Sequence, residues 1–309
     1  MCRYYHFKSP LCLRLAMEII RSGCKINLLL NVLRRREDGF HELETVMQPL
    51  SLFDELEIKL VDIPGIELQC DHPRVPVGPE NLICRAASLF QGATGRHDGL
   101  RIRLKKNIPV MAGVGGGSGN AAMTLIGLNR LYDGMLSPKV VSELAGRLGS
   151  DVPFFLGHGP AIATGRGEKV RRVSPFSLFE NASVVLVNPE FGVPTPWAYQ
   201  NLRIDQDQQN VAPVPMDGFV AALERGDWVM SMQGLFNSLE RPIFRKYPIL
   251  EMIRSELLKA GAAGALVSGS GAMVFGIVRE HEFGEEVRGR FLKAYGDQCW
   301  STVLNLSEA

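Results

Sequence analysis

Pro109-Val110-Met111-Ala112-Gly113-Val114-Gly115-Gly116-Gly117-Ser118-Gly119-Asn120-Ala121-Ala122 is the stretch on which the reading of this chain turns. Five of its fourteen residues are glycine. Upstream, Leu100-Arg101-Ile102-Arg103-Leu104-Lys105 alternates apolar and basic residues, the period of a half-buried strand. Downstream, Ala121 to Leu131 is rich in Ala, Leu, Ile and Met and reads as a helix. A strand, a glycine loop and a helix start together suit a phosphate group. Glycine lets the backbone turn with positive φ and approach a ligand closely. The unpaired N–H groups of a helix start, with the helix dipole behind them, favour an anion.

The dinucleotide fingerprint G-x-G-x-x-G fails in both registers, because Ser118 or Asn120 falls where the third glycine belongs. The P-loop pattern fails as well, since no lysine follows these glycines. A third pattern fits: P-x-x-x-G-[LV]-G-x-[GS]-[SG]-x-A, in which the stretch resembles the phosphate loop of the GHMP kinases. The plain alternative is a flexible surface linker, but such linkers rarely join a strand to an apolar helix.

The whole chain sets outer limits. Its 309 residues suggest one large or two medium domains. Apolar residues make up 46% and charged residues 22%, which is enough for a packed core and argues against disorder. A formal net charge of +1 gives no reason to expect a nucleic acid or a membrane surface as partner. The six cysteines, Cys2, Cys12, Cys24, Cys70, Cys84 and Cys299, are scattered and form no C-x-x-C pair. That pattern points to reduced thiols in the cytoplasm and to no zinc or other metal motif. No apolar run reaches membrane-spanning length.

Residues 1–21 fit poorly with the rest of the chain. Arg14 and Glu18 interrupt an apolar stretch that would otherwise suggest a signal peptide. Met17 reads as the true start, and 1–21 as an extension, disordered or upstream of it. A strand comes next, from Ile26 to Val32, with Lys25 at its entry, an unusual place for a charge heading into a core. Arg34 to His41 is a charged turn with Asp38-Gly39 at its corner. Glu42 to Leu50 and Asp54 to Val61 read as two further strands. Pro79 to Phe90 reads as a helix that Asn81 could cap, and Ser137-Pro138 opens another that ends at Gly149. Asp151 then stands among Val152, Pro153, Phe154 and Phe155, where an acid needs either a partner or a cap to make. In the second half, Ala182 to Val187 is a buried strand, and Trp197-Ala198-Tyr199 opens a short helix. Residues 203–215 form a polar mobile loop, and helices follow at 216–225, 228–239 and 248–260. Leu266 to Ile277 reads as strand, Ser/Gly turn, strand; a helix at 281–294 and a strand at 301–305 close the chain. This order suggests an α+β second domain.

A narrower resemblance rests on Ser22, Lys25, Asn27 and the run Arg36, Asp38-Gly39-Phe40-His41, Glu44, Thr45, taken with the glycine stretch. In these residues the chain is similar to those GHMP kinases that phosphorylate the 2-hydroxyl of 4-diphosphocytidyl-2-C-methyl-D-erythritol on the non-mevalonate route to isoprenoid precursors. The likeness covers about residue 22 to about residue 305. It implies an α+β fold of two domains, an N-terminal ribosomal-protein-S5-like domain at 22–168 and a C-terminal ferredoxin-like domain at 169–309. It implies ATP and Mg2+ as cofactors and a small-molecule substrate, in a monomer or homodimer without nucleic acid or membrane partners.

Residue by residue, the resemblance implies Asp151 as the catalytic acid/base, with Lys25 beside it. Nucleotide falls to Pro109, Val110, Met111, Ala112, Gly113, Val114, Gly115, Gly116, Gly117, Ser118 and Gly119, joined by Asn81, Leu82 and Lys106. For Asn81 a helix cap, and for Lys106 a solvated charge, serve equally well on the sequence alone. Acceptor binding falls to Asn27, Phe40, His41 and Tyr199, with Phe40 and Tyr199 stacking on the cytosine, and to the second glycine site, Gly269-Ser270-Gly271. That site also reads as an ordinary hairpin turn. The chain departs from the pattern at Phe40, where tyrosine is commoner, at Met111-Ala112 and Gly119 in the loop, and at Gly23-Cys24 before the lysine. Rival readings are another GHMP kinase, of homoserine or mevalonate type, and a nucleotide-binding relative without catalysis. Asp38-Gly39-Phe40-His41 argues against the first, and the joint presence of Lys25 and Asp151 against the second.

Overall fold

The computed structural model describes residues 17–204 and 211–307, and they divide into two compact units. One takes residues up to Ser22, Phe53–Asn107 and Gly117–Leu156; the other takes Gly23–Leu52, Ile108–Gly116 and everything from Gly157 onward. A linear cut at residue 168 therefore does not separate them. Strands β1 (Met17–Arg35) and β2 (His41–Val61) each run through both units. Two sequence expectations change here. Strand β1 begins at Met17, so 17–21 belong to it and not to an extension; residues 1–16 lie outside the described residues. The two strands expected at 42–50 and 54–61 are one continuous strand.

In the first unit, β3 (Ile66–Cys70) lies parallel to β4 (Gly99–Lys105), and β4 lies antiparallel to the later part of β2, with Glu55 opposite Lys105 and Val61 opposite Gly99. The alternation in β4 behaves as its period requires: Leu100, Ile102 and Leu104 are buried, and Arg103 and Lys105 are exposed. Helices α1 (Leu82–Thr94), α2 (Gly116–Leu131) and α3 (Pro138–Leu148) complete the unit, followed by a short 3-10 helix at Val152–Leu156. Helix α1 begins at a cap and not at Pro79: the Asn81 side chain accepts from Ile83 N, and left-handed Gly95 ends the helix. Ser137 caps α3 with proline in its first turn, as its dipeptide predicts.

In the second unit, the first part of β2 pairs antiparallel with β5 (Ala161–Gly165), which pairs with β6 (Lys169–Arg172). A second sheet of the same unit is built from β7 (Ser183–Asn188), β9 (Gly264–Val267), β10 (Val274–Val278) and β11 (Trp300–Asn305), in the order β11-β7-β10-β9, antiparallel throughout. Between β7 and β9 come α4 (Thr195–Gln200), α5 (Met216–Glu224), α6 (Trp228–Gln233), the two-residue strand β8 (Phe236–Asn237), α7 (Glu240–Lys246) and α8 (Pro248–Ala260); α9 (His281–Tyr295) joins β10 to β11. Strand, helices, two strands, helix and strand in that spatial order is the ferredoxin-like arrangement. Along β7, Val184 and Leu186 enter one core cluster while Val185 and Val187 enter another, so this sheet is covered on both faces. The helix expected at 228–239 is interrupted. A Cβ on Gly234 would come within 2.4 Å of Phe219 Cδ2, and past that contact the chain turns into β8, which pairs parallel with Leu29 and Leu30 of β1. Of the loop expected at 203–215, residues 205–210 lie outside the described residues.

Candidate active site

Strand β1 places Lys25 and Asn27 two residues apart, hence on one face. Both are nearly lost to solvent, 2% and 3% exposed. A buried ammonium has to be held by dipoles or by charge. The Lys25 Nζ donates to Asn27 Oδ1 at 2.6 Å and to the Gly113 carbonyl at 3.3 Å. The Asn27 Nδ2 donates to Thr45 Oγ1 at 2.9 Å, and Thr45 Oγ1 donates to the Leu29 carbonyl at 2.6 Å. This chain of bonds fixes which way the Asn27 amide points: its oxygen faces the ammonium. Thr45 carries no role in the sequence reading beyond its place in the motif, and only the fold shows that it orients Asn27.

The two glycine sites meet within the second unit. Gly113 is left-handed, φ +77°, and a Cβ on it would fall 2.2 Å from Ser268 O. Its carbonyl accepts from Ser268 Oγ at 3.2 Å, and the neighbouring Ala112 carbonyl accepts from Met273 N at 3.0 Å. Lys25 N donates to Val114 O at 2.9 Å, tying the strand to the same loop. Gly269, φ +56°, sits so that a Cβ would lie 3.0 Å from Gly113 O, 3.4 Å from Asn27 Oδ1 and 3.7 Å from Lys25 Nζ. Ser270 Oγ shares a 2.8 Å hydrogen bond with Thr195 Oγ1. Leu266 to Ile277 is indeed a hairpin, and its turn packs against Lys25, Asn27 and Gly113. At the outer edge of the loop Met111 is exposed and left-handed, φ 57°.

Helix α2 starts at Gly116, so Gly116, Gly117, Ser118 and Gly119 form its first turn and not a continuation of the loop. The left-handed glycines stop at Gly115. That turn holds no acidic residue, and its free N–H groups stand at the head of a 16-residue helix. In the same unit Asp151 follows Gly149-Ser150 directly and leads into the 3-10 helix, whose Val152, Phe154 and Phe155 are buried. Leu82 approaches the same first turn of α2: its Cδ1 would stand 3.9 Å from a Cβ on Gly117.

Two expected nucleotide residues have structural work. Asn81 caps α1, accepting from Ile83 N at 2.8 Å and donating to Pro76 O at 2.6 Å. Lys106 is not solvated: its ammonium forms a buried pair with Asp54, whose other oxygen accepts from Asn107 N at 2.8 Å.

The turn before β2 is built by charge. Arg36 bonds Asp38 and Glu42, Asp38 Oδ1 accepts from Phe40 N at 3.1 Å, and Gly39 takes φ 83°. The Arg36 hydrogen bond holds the Asp38 carboxyl below the usual carboxylate range. Beyond the turn, the His41 and Tyr199 rings lie 5.2 Å apart at 33°. Phe40 is half exposed, with the Arg166 guanidinium 4.6 Å from its ring centre. The fold thus pairs His41 with Tyr199 and Phe40 with Arg166. Burial, then the charge of Arg35, lowers the His41 pKa, so its ring is neutral at neutral pH.

Among the described residues no helix is long and apolar enough to cross a membrane. Cys70, Cys84 and Cys299 are free thiols.

Comparison with known proteins gives a consistent result. The family model for the GHMP kinases N terminal domain matches residues 81–159, and that for the GHMP kinases C terminal matches 219–298. The chain is 43% identical over 267 residues to a 4-diphosphocytidyl-2-C-methyl-D-erythritol kinase of Pelotomaculum thermopropionicum, covering 86% of this chain and 91% of that one. It is 40% identical over 273 residues to the protein of the same name from Synechococcus sp., covering 85% and 86%. Among solved structures, a 4-(cytidine 5'-diphospho)-2C-methyl-D-erythritol kinase superposes with a TM-score of 0.75 at 36% identity, over 93% of this chain and 99% of that one. A mevalonate kinase of L. major superposes at 0.71 with 17% identity, over 96% and 98%, a likeness of fold alone.

Proposed function

The chain belongs to the GHMP kinases and, among them, to the 4-diphosphocytidyl-2-C-methyl-D-erythritol kinases, and on that premise we propose how its own residues divide the reaction. It is an ATP-dependent phosphotransferase that moves the γ-phosphoryl group of ATP to the 2-hydroxyl of 4-diphosphocytidyl-2-C-methyl-D-erythritol, a step toward isoprenoid precursors. The arrangement that most supports this reading is the buried Lys25 ammonium, held by Asn27 and by the Gly113 carbonyl where the two glycine sites meet.

Phosphoryl transfer asks a protein mainly for position and for charge stabilisation. The loop from Pro109 to Gly115 and the first turn of α2 bind the triphosphate through backbone N–H groups. Asp151 takes the proton of the attacking hydroxyl. Lys25 stabilises the negative charge that develops on the transferring group, and Asn27, oriented by Thr45, binds the methylerythritol hydroxyls. His41, neutral at working pH, reads the cytosine edge with either ring nitrogen, while Tyr199 and Phe40 offer aromatic faces. Mg2+, when bound, would neutralise phosphate charge, and Ser118 Oγ in the first turn of α2 would be the residue oxygen to hold it. The enzyme works in the cytoplasm on small molecules, as a monomer or homodimer.

The test is ADP release from Mg-ATP with four acceptors: the cytidyl compound, homoserine, mevalonate and galactose. Release with the first alone is expected. Release with another acceptor would keep the kinase and overturn the roles of Phe40, His41 and Tyr199. A folded protein that binds ATP and releases no ADP would overturn catalysis itself.

A further inference from the structure

The segment that breaks the expected helix at 228–239 makes more buried side-chain bonds than its length suggests. From β8 onward, Asn237, Ser238 and Glu240 grip two parts of the second unit. On one side, Ser238 N donates to Leu30 O at 2.9 Å, and Ser238 Oγ accepts from Val32 N at 2.9 Å, just downstream of Lys25 and Asn27 on β1. On the other side, the Asn237 Nδ2 donates to both Val267 O and Gly269 O at 2.8 Å, with its own oxygen locked by Leu239 N. Glu240 Oε1 accepts from Val267 N at 2.8 Å, and its Oε2 accepts from Arg254 Nη1 of α8 at 2.8 Å. Asn237 is 4% exposed and Glu240 7%. A carboxylate and a carboxamide withdrawn from water are costly unless bonded, and here one end of each bonds the turn or the end of β9 that leads into it.

We propose that Asn237 and Glu240 are positioning residues for phosphoryl transfer, holding the Gly269-Ser270-Gly271 turn at a fixed distance from the β1 face that carries Lys25 and Asn27. The proposal rests on the proposed function in one respect: that Lys25 acts in the reaction. Gly269 faces Lys25 with backbone alone. In front, the hairpin is tied to the loop by Ser268 Oγ on Gly113 O and Met273 N on Ala112 O; behind, Asn237 and Glu240 hold Val267 and Gly269. Burial pushes the Glu240 carboxyl up to about 7; Arg254 and the Val267 N–H pull it back, and Glu251 of α8 pushes it further. The ionised form is the one that pairs with Arg254. Protonation in mild acid therefore removes the charge pair with Arg254 from the turn's support without removing a residue, although burial itself favours the neutral form.

The experiment compares wild type with Glu240→Ala, Glu240→Gln and Asn237→Ala. It reads kcat and KM for both substrates, ATP affinity by calorimetry, and thermal melting. A displacement of about 1 Å in a reacting geometry lowers turnover by roughly 100-fold. Glu240→Ala and Asn237→Ala are expected to lose about 10- to 100-fold in kcat, with ATP affinity little changed. Glu240→Gln, which keeps the acceptor for Val267 N, is expected to recover much of that loss. Wild-type kcat is expected to fall in acid through a group titrating near 7, and that limb is expected to vanish in Glu240→Gln. Unchanged kcat in variants that melt at lower temperature would overturn the proposal, as would an acid limb that persists in Glu240→Gln. Should Asn237→Ala fail to fold, the Glu240→Gln profile still decides. Kinetics are read with whichever acceptor the wild type phosphorylates, so a wrong acceptor assignment shows in the four-acceptor panel and leaves this test in force.

Discussion

Lys25 and Thr45 show how far one side chain's role depends on the next. Thr45 gives its proton to Leu29 O and takes one from Asn27, and that exchange leaves the Asn27 oxygen for the ammonium. Thr45→Val keeps the volume and strands the Asn27 Nδ2. An unmade bond of this kind costs about 1–3 kcal/mol, so urea unfolding should show a loss of that order, with turnover lowered as well because the amide is free to flip. Asp151→Asn should leave ATP binding nearly intact and lower turnover by ~100-fold or more, the usual scale for a positioned base; steady-state ADP release alongside ATP calorimetry checks both halves. His41 titrates below its ordinary value of 6.5 because burial and Arg35 both oppose its charge. KM for the cytidyl acceptor should therefore stay flat from pH 8 down to 6.5 and rise only below that, as the ring gains a proton and loses an acceptor.

Elements make a different kind of demand, on the backbone. Gly113 and Gly117 stand four residues apart in the same stretch and should respond oppositely to alanine. At Gly113 the left-handed φ and the 2.2 Å approach to Ser268 O leave no room; Gly113→Ala should unfold at lower urea and lose most turnover. At Gly117 the backbone is helical and the nearest atom to an added Cβ is 3.9 Å away. Gly117→Ala should be more stable by up to ~1 kcal/mol, the helix-propensity difference. It should also bind ATP more weakly, since the methyl would stand on the turn proposed to bind phosphate.

Elements with local causes were legible in the sequence. The β4 alternation, the Asn81 and Ser137 caps, the hairpin around Gly269 and the helix after Ala121 all follow from residues within one or two turns of each other. What escaped depends on distant partners. The partner of Lys106 is Asp54, 52 residues away, and past Gly234 the chain pairs with a strand 206 residues back, Ser238 bonding Val32. The early start of β1 was hidden because Met17, Ile19 and Arg21 are its exposed face and carry no burial pattern.

At the scale of the molecule, pH acts through Glu240, a carboxyl whose titration burial moves into the neutral range. The Glu240 value is raised from 4.5 to about 7, so its contribution to stability is full below 4.5 and is lost as pH rises through 7. At 1.36 kcal/mol per unit the whole effect is roughly 3 kcal/mol. Glu240→Gln does not titrate. Its melting temperature relative to wild type should therefore move upward between pH 5 and pH 8, by calorimetry in matched buffers, and no such drift should appear if the carboxyl titrates normally.

The way the second unit closes bears on how the protein is made. Its core cluster contains Cys24 and Ile26 from near the start of β1 and Leu306 from beyond β11, and Gln48 donates to Leu306 O at 3.1 Å. A ribosome threading this chain outward delivers Lys25 and Asn27 long before the residues that cover them. Until the last strand leaves the exit tunnel, the amphipathic lengths of β1 and β2 have no finished core of their own unit to enter. Such long-range closure is slow and leaves apolar surface open in the meantime. Loss of Leu306 would thus strip cover from the strand that carries Lys25, and a nascent chain stalled before β11 is the form of this protein that most needs a chaperone.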